Sequence, residues 1–244
     1  MQTDIEDLIA PKRPSRTSYP GGKNGMGVYQ TIINNQPPHD TYIECFVGGG
    51  AILKRKRPAG SNIVIDSDAA AIVALKENLI KRDDIRYLIG DGVQFLREFN
   101  FTGRELVYAD PPYPFDTRSC QRDLYKQEWS DSDHEAFLTL VRRLPCMVMV
   151  SSYENALYGD MLHDWHCVTF TGCTRGGPRT ECLWFNFPPP TALHDYQYLG
   201  DGFRERERIK RKALRWKAKL ANMEELERKA VLSALLNYNE PPSC

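Results

Sequence analysis

The chain has 244 residues and a formal net charge of zero, which is the size of one α/β domain with a buried core and a charge balance that by itself selects no partner class. It has no apolar run approaching the roughly 18 residues that a transmembrane helix needs, so no membrane span is expected. The acidic start Met1–Asp7 lacks the basic-then-apolar layout of a secretory signal. Seven irregularly spaced cysteines without a CxxC pair read as reduced thiols of a cytoplasmic protein, not as a disulfide framework or a metal site.

Residues 1–18 are polar, carry Pro11, Lys12, Arg13, Pro14 and Arg16, and are expected to form a flexible basic arm. From about residue 42 onward, short β-rich runs alternate with helical stretches. The strands are expected at Tyr42–Val47, Asn62–Asp66, Arg86–Ile89, Glu105–Ala109 and Cys146–Ser151. The helices are expected at Asp68–Arg82, Gly92–Phe99 and Ser132–Leu144, with Ala69, Ile72, Val73, Lys76 and Leu79–Ile80 showing the clearest three-and-four spacing. Such alternation predicts a mostly parallel sheet covered on both faces. Two further strands, His166–Phe170 and Glu181–Phe187, flank a Gly- and Arg-rich loop over Thr171–Thr180, so the sheet is expected to end in an antiparallel hairpin. Pro188-Pro189-Pro190 closes the domain spanning 19–190. Beyond a linker, Phe203–Leu236 has no internal Gly or Pro and is expected to be one long helix. Its segment 203–220 holds nine Lys/Arg against Glu205 and Glu207, a net of +7.

Chemistry-bearing residues sit at the strand ends. Glu44-Cys45-Phe46-Val47-Gly48-Gly49-Gly50 follows the first strand, where glycines let backbone approach a ligand or simply make a tight turn. Asp66 ends the second strand, either as an acceptor for ribose hydroxyls or as a helix cap that Ser67 or Asp68 would supply equally well. Asp91 closes the third. Asp110-Pro111-Pro112-Tyr113 follows the fourth strand and is the most specific of these signals. A carboxylate and a backbone carbonyl, both acceptors, suit the two hydrogens of an exocyclic amino group, whose lone pair is otherwise delocalised into an adenine ring. Paired prolines fix where those acceptors point, and a neighbouring tyrosine can stack on a base extruded from a helix.

Over roughly residues 17–187 the chain resembles the DNA-adenine methyltransferases of the Dam class. The landmarks are Tyr19-Pro20-Gly21-Gly22-Lys23, Phe46-Val47-Gly48-Gly49-Gly50, Asp66, the Asp-Pro-Pro-Tyr tetrad and Thr180-Glu181-Cys182-Leu183-Trp184-Phe185-Asn186, in that family's order. The resemblance implies a Rossmann-like α/β methyltransferase fold and S-adenosylmethionine as donor. It places Tyr19, Gly22, Lys23, Phe46, Gly48, Gly50, Asp66, Asp91 and Asp110 around that cofactor. Asp110 and Tyr113, with Pro111 and Pro112, become the catalytic group, and Lys23 is expected near the cofactor or the flipped base. No metal is required. The chain departs from the family by Tyr19-Pro20 in place of the usual Trp-Ala. It also spans only 25 positions between Asp66 and Asp91, where specific family members insert a target-recognition domain. Base-edge contacts specify sequence and phosphate contacts only position a protein, so relaxed sequence specificity is expected.

DNA is the expected partner. Its phosphates are assigned to Arg118, Arg122 and Lys126 after the tetrad, to Arg175 and Arg179 in the hairpin, and to Lys210, Arg211 and Arg215 of the basic helix. That helix's apolar positions Leu214, Leu220, Leu226, Val231 and Leu235 offer a homodimer contact as the alternative. The rival readings are an RNA adenine methyltransferase and a catalytically silent nucleic-acid-binding module. A compact, readerless layout would suit a phage or prophage gene.

Overall fold

The computed structural model describes residues 22–79, 82–114, 128–174 and 177–238. Its centre is a seven-stranded sheet in the order β3-β2-β1-β4-β5-β7-β6. The strands are β1 (Thr41–Glu44), β2 (Ser61–Asp66), β3 (Ile85–Ile89), β4 (Glu105–Ala109), β5 (Met147–Tyr153), β6 (His166–Thr174) and β7 (Gly177–Phe185). The first five pair in parallel, whereas β7 runs antiparallel to both β5 and β6. This is the mostly parallel sheet with the antiparallel ending that the sequence pattern predicts, and the Rossmann-like architecture that the resemblance implies.

Alternation along the central strands explains why the sheet is covered twice. Tyr42, Val64, Leu106 and Tyr108 face one layer, together with Ile32 and Ile33 of α1 (Val28–Asn34) and Ile72 and Leu75 of α2 (Ala69–Asn78). Ile43, Ile63, Ile65, Val107 and Ala109 face the other. There they meet Leu96 of α3 (Gly92–Glu98), Phe137, Leu138 and Val141 of α4 (Asp131–Val141), and Tyr158 of α5 (Ala156–Met161). Successive residues of a strand point to opposite faces, so a strand buried on both faces must be continuously apolar. Val107-Tyr108-Ala109 is such a run. Caps fix where the helices begin: Asp68 accepts from the backbone of Ala70, Asp91 from Val93 and Gln94, and Ser130 with Asp133 forms a capping box.

Several expectations need correction. The first strand stops at Glu44, because Cys45–Val47 already turn toward the glycines. Helix α1 lies outside every expected element. On α2 the buried positions are Ile72 and Leu75, while Val73 is exposed. The hairpin loop expected over Thr171–Thr180 is mostly ladder, with pairing continuing to Thr174 opposite Gly177. The single helix expected over Phe203–Leu236 is two: α6 (Phe203–Ala221) and α7 (Glu225–Leu236). The break falls at Asn222-Met223-Glu224, where Asn222 ends one helix and Glu225 and Glu227 occupy the first turn of the next. Acidic residues at a helix N-terminus interact favourably with its dipole and favour a new start there. Neither helix buries a residue, and Leu214, Leu226 and Leu235 are exposed. No described helix is long and apolar enough to cross a membrane.

Candidate active site

The strand order reverses between β1 and β4, since the chain winds outward to β2 and β3 before returning to β4 and β5. Open α/β sheets form a crevice outside the carboxyl ends of the strands at such a point. A cavity of about 530 Å³ occupies it, within the range of small-ligand sites. The carboxyl ends of β1 to β4 line it: Glu44 and Cys45 at the end of β1, Asp66 at the end of β2, Asp91 after β3 and Asp110 after β4.

One side of the cavity is built by the glycine turn. Gly48 has φ 47° and donates its backbone N–H to Asp66 Oδ2 at 2.7 Å, while Asp68 N donates to Asp66 Oδ1 at 2.8 Å. Asp66 is thus an organiser of the turn, and the helix cap is Asp68. Gly48 and Gly49 line the cavity, as do Gly22 and Phe46. Gly50 does not, and packing explains why it is a glycine. At φ 64° a Cβ there would lie 2.5 Å from Leu75 Cδ1, so the turn closes directly on α2. Asp91 lines the cavity while capping α3 through Oδ1. An aromatic wall completes this side: Phe46 meets Trp129 edge-on at 5.3 Å, and Trp129 and Phe137 lie 5.3 Å apart.

The other side carries charge. Lys23 Nζ lies 2.9 Å from Asp110 Oδ1 and 3.3 Å from Glu181 Oε2, and it donates to the Tyr113 hydroxyl. Tyr113 donates in turn to Glu181 Oε2 at 3.3 Å and packs edge-on against Tyr153, centroids 4.4 Å apart. Ser151 donates to Asp110 Oδ1 at 3.0 Å and shares a 2.9 Å hydrogen bond with Tyr108. Lys23 is 4% exposed and Tyr113 3%, so the tetrad's tyrosine is enclosed and does not line the cavity; Asp110 and Pro112 do. Nearby, burial pushes the Glu44 carboxyl up to about 8, opposed by the hydrogen bond from Tyr42 and reinforced by the charge of Asp110.

Lys23 is brought to Asp110 and Tyr113 from far away in sequence, and Lys23 and Asp110 line one cavity with Gly48, Asp66 and Asp91. Arg179 lies on β7 with its guanidinium 5.9 Å from the Tyr153 ring centre. Lys210, Arg211 and Arg215 are exposed on α6. Tyr19, Arg118, Arg122, Lys126, Arg175 and the arm 1–18 lie outside the described residues. Sequence reasoning assigned no role to Glu181, Ser151, Tyr153 or Trp129. Ser151 was visible as the polar end of an apolar strand, and Glu181 as the one charge preceding Cys182-Leu183-Trp184-Phe185.

No family model matches the chain, and no curated protein matches it. Among solved structures it is similar to N-methyltransferase NodS from Bradyrhizobium japonicum, at 11% identity over 66% of this chain and 94% of that one, with TM-score 0.47. It is similar to the SAM-dependent methyltransferase from Agrobacterium tumefaciens, at 15% identity over 66% and 59% of the two chains, with TM-score 0.45. Precorrin 8w decarboxylase from Methanobacterium thermoautotrophicum is likewise similar, at 13% identity over 68% and 92%, with TM-score 0.44.

Proposed function

We propose that this chain is an S-adenosylmethionine-dependent methyltransferase acting on the exocyclic amino group of adenine in DNA, with relaxed sequence specificity. The observation that carries the proposal is the position of Asp110. It directly follows β4 at the switch point, is stiffened by two prolines, and lines one cavity with the glycine turn and Asp66.

The residues present fit a nucleoside cofactor. Asp66 and Asp91 offer carboxylate acceptors, Gly48 and Gly49 allow close backbone approach, and Phe46 with Trp129 supplies an aromatic surface. S-adenosylmethionine would supply there a methyl group on a sulfonium, already a good leaving group. Asp110 and the carbonyl of Pro111 accept the two amino hydrogens and direct the nitrogen lone pair at the methyl carbon. Asp110 would also take the surplus proton that the amino nitrogen sheds on being methylated. Tyr113 reaches a base only after leaving its packing against Tyr153, a local rearrangement that base binding would drive.

Between Asp66 and Asp91 the described residues form only α2 and β3, so no reader domain is inserted there. Contact with DNA then falls chiefly on phosphate-directed groups, among them Lys210, Arg211 and Arg215 of α6. Base-resolution mapping of methylated adenines in treated DNA tests this. Many contexts are expected, and a single motif of four to six bases would contradict relaxed specificity. Preferential methylation of structured RNA over duplex DNA would move the substrate to RNA.

A further inference from the structure

We propose that Lys23 reads the target base, donating to the ring nitrogen beside the amino group that Asp110 accepts from, and that Glu181 is the positioning residue that holds Lys23 there. The inference rests on the adenine reading above and gives it a specificity determinant.

A lysine ammonium has three N–H donors and no acceptor. In the structure Asp110, Glu181 and the Tyr113 hydroxyl take up that capacity. Lys23 and Asp110 line the same cavity, so the pair presents a donor and an acceptor side by side. The Watson–Crick edge of adenine is their complement, with an amino donor beside the N1 acceptor. When that edge arrives, the Lys23–Asp110 contact exchanges one for one. Asp110 takes an amino hydrogen and the freed ammonium N–H goes to N1, so both members of the pair keep a partner through the exchange. Guanine and thymine present a carbonyl to Asp110 and a ring N–H to Lys23. Both contacts are then mismatched, the situation in which hydrogen-bonding sites discriminate most strongly. Cytosine shares the amino-plus-acceptor edge, so the pair rejects keto bases and leaves purine against pyrimidine to the shape of the site.

Glu181 is built into place for this. It is 6% exposed, starts the buried half of β7 and lies opposite Tyr153 of β5 in register. Its carboxylate lies over Gly172 of the adjoining strand β6, where a Cβ would fall 2.2 Å from Oε1. Gly172 therefore clears the room that the Glu181 carboxylate fills. A buried ion pair is weak evidence for stability, because desolvation offsets much of its attraction. The clearance and the shared contact with Tyr113 instead fix one donor beside the acceptor of the tetrad.

The test compares oligonucleotides carrying either adenine or 1-deazaadenine, in which C–H replaces N1, as methyl acceptors for the full chain. Wild type should lose roughly 10- to 100-fold in kcat/KM on the analogue. Lys23→Met should lose a similar factor on adenine, then discriminate between the two bases by less than about threefold, because the interaction is already gone. The analogue also changes the basicity of the amino group, so the coupling between variant and analogue is the readout. Glu181→Gln, and Gly172→Ala acting from outside the cavity, should lower the adenine preference part of the way. Gly172→Ala carries the test if Lys23→Met does not fold. Wild-type discrimination in the Lys23 or Gly172 variant, or equal use of both bases by wild type, would overturn the inference. Failure of wild type to methylate adenine at all would overturn the adenine reading itself, and this inference with it.

Discussion

The two charged regions of this molecule use charge in opposite ways. At the carboxyl edge of the sheet, Lys23, Asp110 and Glu181 are close and largely withdrawn from water, each against a named partner at hydrogen-bonding distance. On α6, nine cationic side chains stand on a helix that buries nothing, and the ion pairs within it, such as Arg211 with Glu207 at 3.9 Å, are exposed. Buried charges act through geometry, and losing one partner is costly. Exposed charges of one sign act through their summed field, which salt screens and which tolerates the loss of any single member. The first arrangement suits chemistry on one atom and the second suits a polyanion.

The sharpest way to break this contrast is at Asp110. Asp110→Ala should lower methyl transfer roughly 10³-fold, the scale for removing a preorganised group at the reacting centre, measured at a temperature where the variant is still folded. Retained transfer would remove the chemical half of the comparison. Next is the turn that frames the cavity. Gly50→Ala combines a left-handed backbone with a clash on Leu75 and should destabilise by about 2–4 kcal/mol in denaturant titration. A neutral effect would mean that the turn is not closed on α2.

Removing residues 203–244 should weaken duplex binding about tenfold at low salt and leave cofactor binding unchanged. Its signature is a loss of about 0.9 in the slope of log K against log salt for each phosphate contact removed. An unchanged slope would rule α6 out as a DNA contact. The smallest expected effect is at Glu44. Its carboxyl is raised from 4.5 to about 8 mainly by burial, so its stability contribution is full below pH 4.5 and is lost as pH rises toward 8. His39, pushed down to about 3 mainly by burial, slopes the other way as pH falls below 6.5, so the comparison must be variant against wild type. Glu44→Gln cannot ionise and should flatten the decline in denaturation midpoint between about pH 5 and 8. Parallel curves would show that Glu44 is not held neutral.

Much of the fold was legible because its signals are local. Parallel strands buried on both faces announce themselves as runs such as Glu105–Ala109, and strand ends carry the residues that cluster at a switch point. The break at Asn222–Glu224 was not legible, since it involves neither Gly nor Pro and depends on acidic residues beginning a new dipole. The ladder reaching Thr174 and Gly177 was hidden for the opposite reason, its Gly-rich sequence suggesting a loop where one glycine serves to clear Glu181. In the site, Asp110 was found because two prolines mark it. Glu181 and Ser151 were missed because their roles come from β5 pairing with β4 and β7 pairing with β5, a non-local arrangement that no spacing encodes. Gly50 was expected at the cofactor and instead serves packing, since a glycine needed for φ and one needed for a ligand look alike in sequence.

The central claim is that Asp110 directs methyl transfer to an adenine amino nitrogen. Its most direct test is nucleoside analysis of DNA incubated with the chain and isotopically labelled S-adenosylmethionine, with Asp110→Ala in parallel. The account predicts label in N6-methyladenine for the wild-type chain and none above background for the variant. Label confined to another nucleoside, or equal labelling by the two proteins, would contradict it.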